Sequence, residues 1–188
     1  MKFRKDVYDN MCNNCEYERL FKPDNPSWNG FVYETIVHIL FIHKELPKEF
    51  DYHKIYKGFY KDRNVVEFMS DILEMPIRQG DDASDITFDN IEGKTHCISV
   101  KYRDNFSISE NGIGQLKDQY PQIGIMYICK LSKTEIRERV EKVHHKAFRK
   151  DFEIFQDMLD NDLILDEEDI KRAYRSFQHK HYSLLEVQ

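Results

Sequence analysis

The stretch Asp85-Ile86-Thr87-Phe88-Asp89-Asn90-Ile91-Glu92-Gly93-Lys94-Thr95-His96-Cys97-Ile98-Ser99-Val100-Lys101-Tyr102-Arg103 decides the fold. Ile86 to Phe88 and His96 to Tyr102 are short runs rich in β-branched and aromatic residues, and Glu92-Gly93 between them supplies a turn. Together they predict a β-hairpin. In its second strand Ile98, Val100 and Tyr102 point one way, and Cys97, Ser99 and Lys101 the other. With the turn at Glu92-Gly93, paired residue numbers sum to about 185, which sets Asp85 opposite residues 99 to 101. Strict pairing with Val100 would aim Asp85 at the wrong face, so the register calls for a one-residue bulge or a shifted loop. With that adjustment an acid on one strand meets Ser99 and Lys101 on its neighbour.

Upstream, Ser27 is placed to cap a helix running to about Lys44. Its residues 31–42 are apolar nearly all round, the mark of a buried helix, and Glu34 and His38 share one face as the exceptions. A loop rich in Lys and Tyr follows from Leu46 to Lys61. Val65, Phe68, Met69, Ile72 and Leu73 then recur at helical spacing up to Pro76. Beyond the hairpin, Gly112 to Gln119 reads as a short helix and Gln122 to Cys129 as an internal strand. Ser132 caps a long helix to about Lys150, and further helices are expected over 151–160 and 167–180. This order predicts one α/β domain over 1–188, with a core of helix, mixed sheet of about four strands and helix over 28–130, and a helical extension over 131–188.

The 188 residues suffice for one domain with a real core. With 33% charged and 40% hydrophobic residues and only 7 Gly and 5 Pro, the composition excludes a disordered or collagen-like chain. The longest apolar stretch, Ile36 to Ile42, is far short of a membrane span. Met1 to Asp6 leads into polar sequence without the apolar centre of a signal peptide, so an intracellular, reducing location (cytoplasm or nucleus) is expected. Cys97 and Cys129 lie in apolar runs as small core residues. Cys12-Asn13-Asn14-Cys15 is half of a zinc pattern without a second half, and reads as loop thiols. The net charge of −6 hides segregation: residues 130–150 hold eight Lys or Arg against three Glu, and residues 151–169 hold nine acids and no Lys or Arg. The two segments are expected to neutralise each other, yet a basic face for nucleic acid stays open.

An Asp beside a Lys on the open face of a hairpin suits metal-dependent phosphodiester hydrolysis. The carboxylate offers a divalent cation hard oxygen ligands, the metal lowers the pKa of a bound water, and the Lys orients that water or offsets developing charge. Asp85 before Ile86-Thr87-Phe88, and Ser99-Val100-Lys101 ending the next strand, resemble the motif of the PD-(D/E)XK nuclease superfamily, the restriction-endonuclease-like fold. The resemblance spans roughly residues 28 to 130 and includes the Glu34 helix and the helix–strand pair over Gly112–Cys129. It implies a Mg²⁺-dependent DNA endonuclease, with Mn²⁺ as a substitute ion and a possible homodimer. Asp85 is then the primary metal ligand, in competition with Asp82 for the motif acid, and Lys101 the residue that positions water. The Val100 carbonyl is a further ligand.

Ser99 departs from the pattern, which usually has an acid or Gln two before the Lys. Relatives with Ser-Val-Lys recover the acid elsewhere, which implies Glu34 first, then Glu110, with Gln115 also in position. Arg103, Tyr102, Lys117 and Gln115 are the implied nucleic-acid contacts, with Arg78, Gln79 and Asn105 as further candidates. Against these stand plainer readings: Asp85 as a strand-start residue, Lys101 as a solvated charge, Glu34 bonded to His38, Glu110 as a helix N-terminal acid, and His144, His145, His179 and His181 facing solvent. Ser99 also keeps open a catalytically silent nuclease-fold module that binds nucleic acid or protein. A third possibility is the accessory domain of a viral or phage helicase or replication system.

Overall fold

The computed structural model describes residues 5–57, 85–103, 124–142 and 149–185. They form an α/β fold of five helices and a five-stranded mixed sheet. The helices are α1 (Lys5–Cys12), α2 (Pro26–Ile42), α3 (Lys133–Glu141), α4 (Arg149–Asp160) and α5 (Glu167–Leu185). The strands are β1 (Lys54–Lys57), β2 (Ile86–Asp89), β3 (Thr95–Lys101), β4 (Gly124–Cys129) and β5 (Ile164–Leu165), in the order β1-β2-β3-β4-β5. The first three strands are antiparallel, and β3, β4 and β5 run parallel.

The predicted hairpin is β2–β3, with a simpler register than expected. Ile86 pairs with Ile98 and Asp89 with Thr95, so paired numbers sum to 184. The loop is shifted by one residue, and β2–β3 needs no bulge; the irregularity lies instead between β1 and β2, at Ile55/Lys57. An even sum keeps Asp85, Thr87 and Asp89 on the face of Cys97, Ser99 and Lys101. The loop holds because Asn90 Oδ1 accepts from the Glu92 and Lys94 amides and Gly93 takes a φ of +77°, which a side chain would resist.

Alternation along the strands separates two cores. Ile86, Phe88, Ile98, Val100, Met126 and Ile128 pack under α1, α2 and α5. On the opposite face Cys97, Ile125, Tyr127, Cys129 and Ile164 pack against α3 and α4. Helices therefore cover both faces, as the continuous apolar run of β4 requires. Gly124 opens β4 because its partner's ring lies over it: a Cβ there would sit 2.2 Å from His96 Nδ1.

Several element boundaries differ from the sequence reading. Asn25, not Ser27, caps α2: its Oδ1 accepts from the Trp28 amide at 3.0 Å, and Pro26 occupies the first helical position. The expected loop from Leu46 contains the short helical turn Lys48–Phe50 and the edge strand β1. Ser132 caps α3 in a full capping box with Glu135, but α3 ends at Glu141 and α4 begins at Arg149. Between α4 and α5 the chain adds β5 to the sheet, the strand beyond the expected four. The C-terminal helix is fastened to the first residues of the chain. Tyr174 Oη and Gln178 Nε2 donate to the Cys15 carbonyl at 2.6 and 2.8 Å, and Lys180 pairs with Glu45 at 2.8 Å. His181 packs on Phe177 and His43 instead of facing solvent.

The predicted helix of Val65 to Leu73, the predicted helix Gly112–Gln119, and His144 and His145 lie outside the described residues. No helix among the described residues is long and apolar enough to cross a membrane, and all four cysteines are free thiols.

Candidate active site

Three side chains predicted from sequence converge at the C-terminal end of β3. Asp85 stands one residue before β2, and its amide donates to the Ile98 carbonyl at 3.2 Å, extending the ladder. Its carboxylate folds back onto the neighbouring strand, where Oδ2 accepts from the Val100 amide at 2.7 Å. Lys101 Nζ lies 3.6 Å from the same oxygen. The pair is neither solvated nor sealed: the Lys101 and Asp85 side chains are 26% and 23% exposed. One carboxylate oxygen, Oδ2, is thus engaged by both the Val100 amide and Lys101.

Glu34 comes from α2, on the other face of the sheet, and reaches the site where β3 ends. It lines an open groove of about 390 Å³ together with Phe31, Val100, Lys101, Tyr102 and Arg103. Its Oε2 is buried and accepts no hydrogen bond from the described residues. Burial foremost, then the Asp85 charge, pushes the Glu34 carboxyl up to about 8, and Lys101 pulls it back only in part. Two acids therefore sit close enough to feel each other, and the Lys101 charge acts on both. No hydrogen bond joins Glu34 to His38, whose fully buried ring is held neutral because burial lowers its pKa well below the usual range.

Ser99 is only 2% exposed and follows Cys97 along the α3–α4 face of β3. Arg103 is exposed and lines the groove. Tyr102 is half-buried, stacked on Phe21 at 4.9 Å between ring centres and tilted against Tyr33 at 4.8 Å. Its ring therefore forms a wall. Asp82, Glu110, Gln115, Lys117, Arg78, Gln79 and Asn105 lie outside the described residues. Among the described residues no cluster of three or more His, Cys, Asp or Glu side chains is arranged to hold a metal ion.

Two contributors escaped the sequence reading. Lys130 sits just after β4, its amide donating to the Lys101 carbonyl at 3.2 Å and its ammonium 5.0 Å from the Tyr102 ring centre. Parallel pairing of Lys101 with Cys129 brings it there, a relation that only the register of β3 and β4 reveals. Phe31 was absorbed in an apolar helix, yet it is 42% exposed. The charge segregation of the C-terminal third is partly resolved within the chain, since Lys133 pairs with Asp169 at 3.3 Å and its amide donates to Asp166. Comparisons of the chain with protein families, with curated proteins and with solved structures find no match.

Proposed function

We propose that this chain is a divalent-metal-dependent nuclease with a restriction-endonuclease-like core, hydrolysing phosphodiester bonds in DNA. The observation that carries the proposal is the buried Oε2 of Glu34, without a hydrogen-bond partner among the described residues, in one open groove with Lys101, whose ammonium is paired with Asp85. A desolvated carboxyl next to a second acid is costly for the protein alone, and a divalent cation would offset that cost. The donor set fits such an ion: Asp85, Glu34 and the Val100 carbonyl are hard oxygen ligands suited to Mg²⁺ or Mn²⁺. When bound, the ion would supply a water of lowered pKa and neutralise charge on the phosphate.

The remaining roles belong to the chain's own residues. The Val100 amide fixes the Asp85 carboxylate in one orientation. Lys101, held by Asp85, presents its ammonium to the groove, where it orients an attacking water and stabilises charge developing on the phosphate. Arg103 grips a neighbouring backbone phosphate without reading bases. Glu34 takes the acidic role that Ser99 cannot fill.

The test is a cleavage assay on single-stranded, duplex and branched DNA and on RNA, with Mg²⁺ or Mn²⁺, comparing wild type with Asp85→Ala and Lys101→Ala. Metal-dependent cutting lost in both variants is the expected result. A second reading, a silent nuclease-fold binding module, is favoured by the buried Ser99 where a ligand would stand. It predicts a folded protein that binds nucleic acid and cuts nothing at any metal concentration.

A further inference from the structure

The groove beside Glu34 holds an aromatic ring that hydrolysis does not require. Phe31 lies three residues before Glu34 on α2, where Val32, Tyr33, Ile36 and Val37 are all buried, yet it stays 42% exposed. Among the described residues the other exposed large apolar side chain is Ile91, in the loop of the β2–β3 hairpin. One exposed ring is ordinary on a protein surface; what gives this one meaning is the groove it lines and the cations along it.

Its surroundings name the ligand chemistry. The groove continues past Tyr102 and Arg103 into a second hollow of about 570 Å³, which shares both residues and Pro26 and adds Lys130. The charged residues of that hollow are two cations, Arg103 and Lys130, and one acid, Glu18, which is exposed and lies 3.7 Å from Lys171. Cationic side chains spaced along a groove follow a phosphate backbone, and an exposed ring receives the face of a base. A duplex keeps its bases stacked on one another and offers Phe31 no face without unstacking; an unpaired strand offers one freely.

We propose that Phe31 is a base-stacking platform and that this groove takes an unpaired nucleic-acid strand, with phosphates on Arg103 and Lys130. The proposal rests on the nuclease reading and names its substrate class. An acidic peptide would meet the same cations but would leave the ring unused.

The experiment measures binding of the full chain in EDTA, where no cutting interferes. The probes are a short single-stranded DNA carrying 2-aminopurine, the same sequence as RNA and as DNA duplex, and polyaspartate as competitor. Single strands are expected to bind about tenfold or more tightly than duplex, with 2-aminopurine fluorescence quenched by stacking. Phe31→Leu should weaken single-strand binding by about fivefold to 150-fold, while Phe31→Trp retains it. The relative affinities for DNA and RNA then identify the strand. Duplex binding equal to single-strand binding, displacement by polyaspartate at equal charge, or a folded Phe31→Leu that binds like wild type would each overturn the proposal. Phe31-dependent binding without metal-dependent cutting would sink the nuclease reading and leave the platform standing. Metal-dependent cutting unaffected by Phe31→Leu would do the reverse.

Discussion

The β2–β3 hairpin carries an acid–lysine pair at each end, and the two pairs are opposites. At the loop, Glu92 and Lys94 are 2.9 Å apart with side chains 64% and 70% exposed. At the open end, Asp85 and Lys101 are 3.6 Å apart but about three-quarters buried, pinned by the Val100 amide and flanked by an unpartnered Glu34 oxygen. The shorter contact is the less consequential one. Water screens the loop pair and lets its side chains move, so geometry there is neither enforced nor needed. At the open end each group is held by a second element, and the protein leaves one acid unsatisfied. Fixed orientation with an uncompensated acid marks a candidate site better than a short distance does.

The sharpest way to break this comparison is activity. Asp85→Ala or Lys101→Ala should lower metal-dependent cutting by about 100-fold or more, while Glu92→Gln and Lys94→Ala leave it unchanged, as measured on one labelled substrate. Equal losses at both ends would show that the open end is not special. Next in size is the pH dependence of stability set by Glu34. Its carboxyl is raised from 4.5 unfolded to about 8 folded, so the native state favours the protonated form. The associated stability is fully present below about pH 4.5, falls as pH rises, and is gone above about pH 8. Relative to wild type in EDTA, Glu34→Gln should remove that slope and gain up to about 5 kcal/mol above pH 8, read from urea unfolding across pH. A difference between the two proteins that does not change with pH would remove Glu34 from its buried place.

A smaller effect tests the register that builds the site. Gly124→Ala should cost about 1–3 kcal/mol because its Cβ meets the His96 ring, and His96→Ala should restore much of the loss in the double variant. Additive losses would contradict the pairing of β3 with β4. At the bottom of the scale, Glu92→Gln should leave the thermal midpoint where it is, as expected of a fully solvated partner.

Sequence patterns that repeat locally survived the comparison with structure, and relations that depend on packing did not. The alternation of β3, the all-round apolar character of α2, the internal run of β4 and the Ser132–Glu135 box were legible because each is written within one element. Lys54-Ile55-Tyr56-Lys57 is too short to show a period, and it becomes a strand only because β2 offers it a free edge. Ile164-Leu165 is shorter still and is defined by pairing with β4. Asn25 and Ser27 are both competent caps; Pro26 at the first turn decides for Asn25. At the site, Asp85 and Lys101 could be brought together from strand alternation alone, and a single residue in the loop separated a bulged register from the observed one. That Glu34 would arrive with an unpartnered oxygen was not legible, because it depends on how α2 crosses the end of β3. Phe31 was hidden for the same reason, and Lys130 because its place depends on the register of β4 against β3.

The measurement that tests the central claim most directly is a Mn²⁺ titration by calorimetry on the wild-type chain, Asp85→Ala and Glu34→Gln, each first shown to be folded. Saturable binding by wild type that is lost in Asp85→Ala and strongly weakened in Glu34→Gln is the expected result. Equal binding by all three, or none by the wild type, would contradict the assignment of this groove as a metal-dependent site.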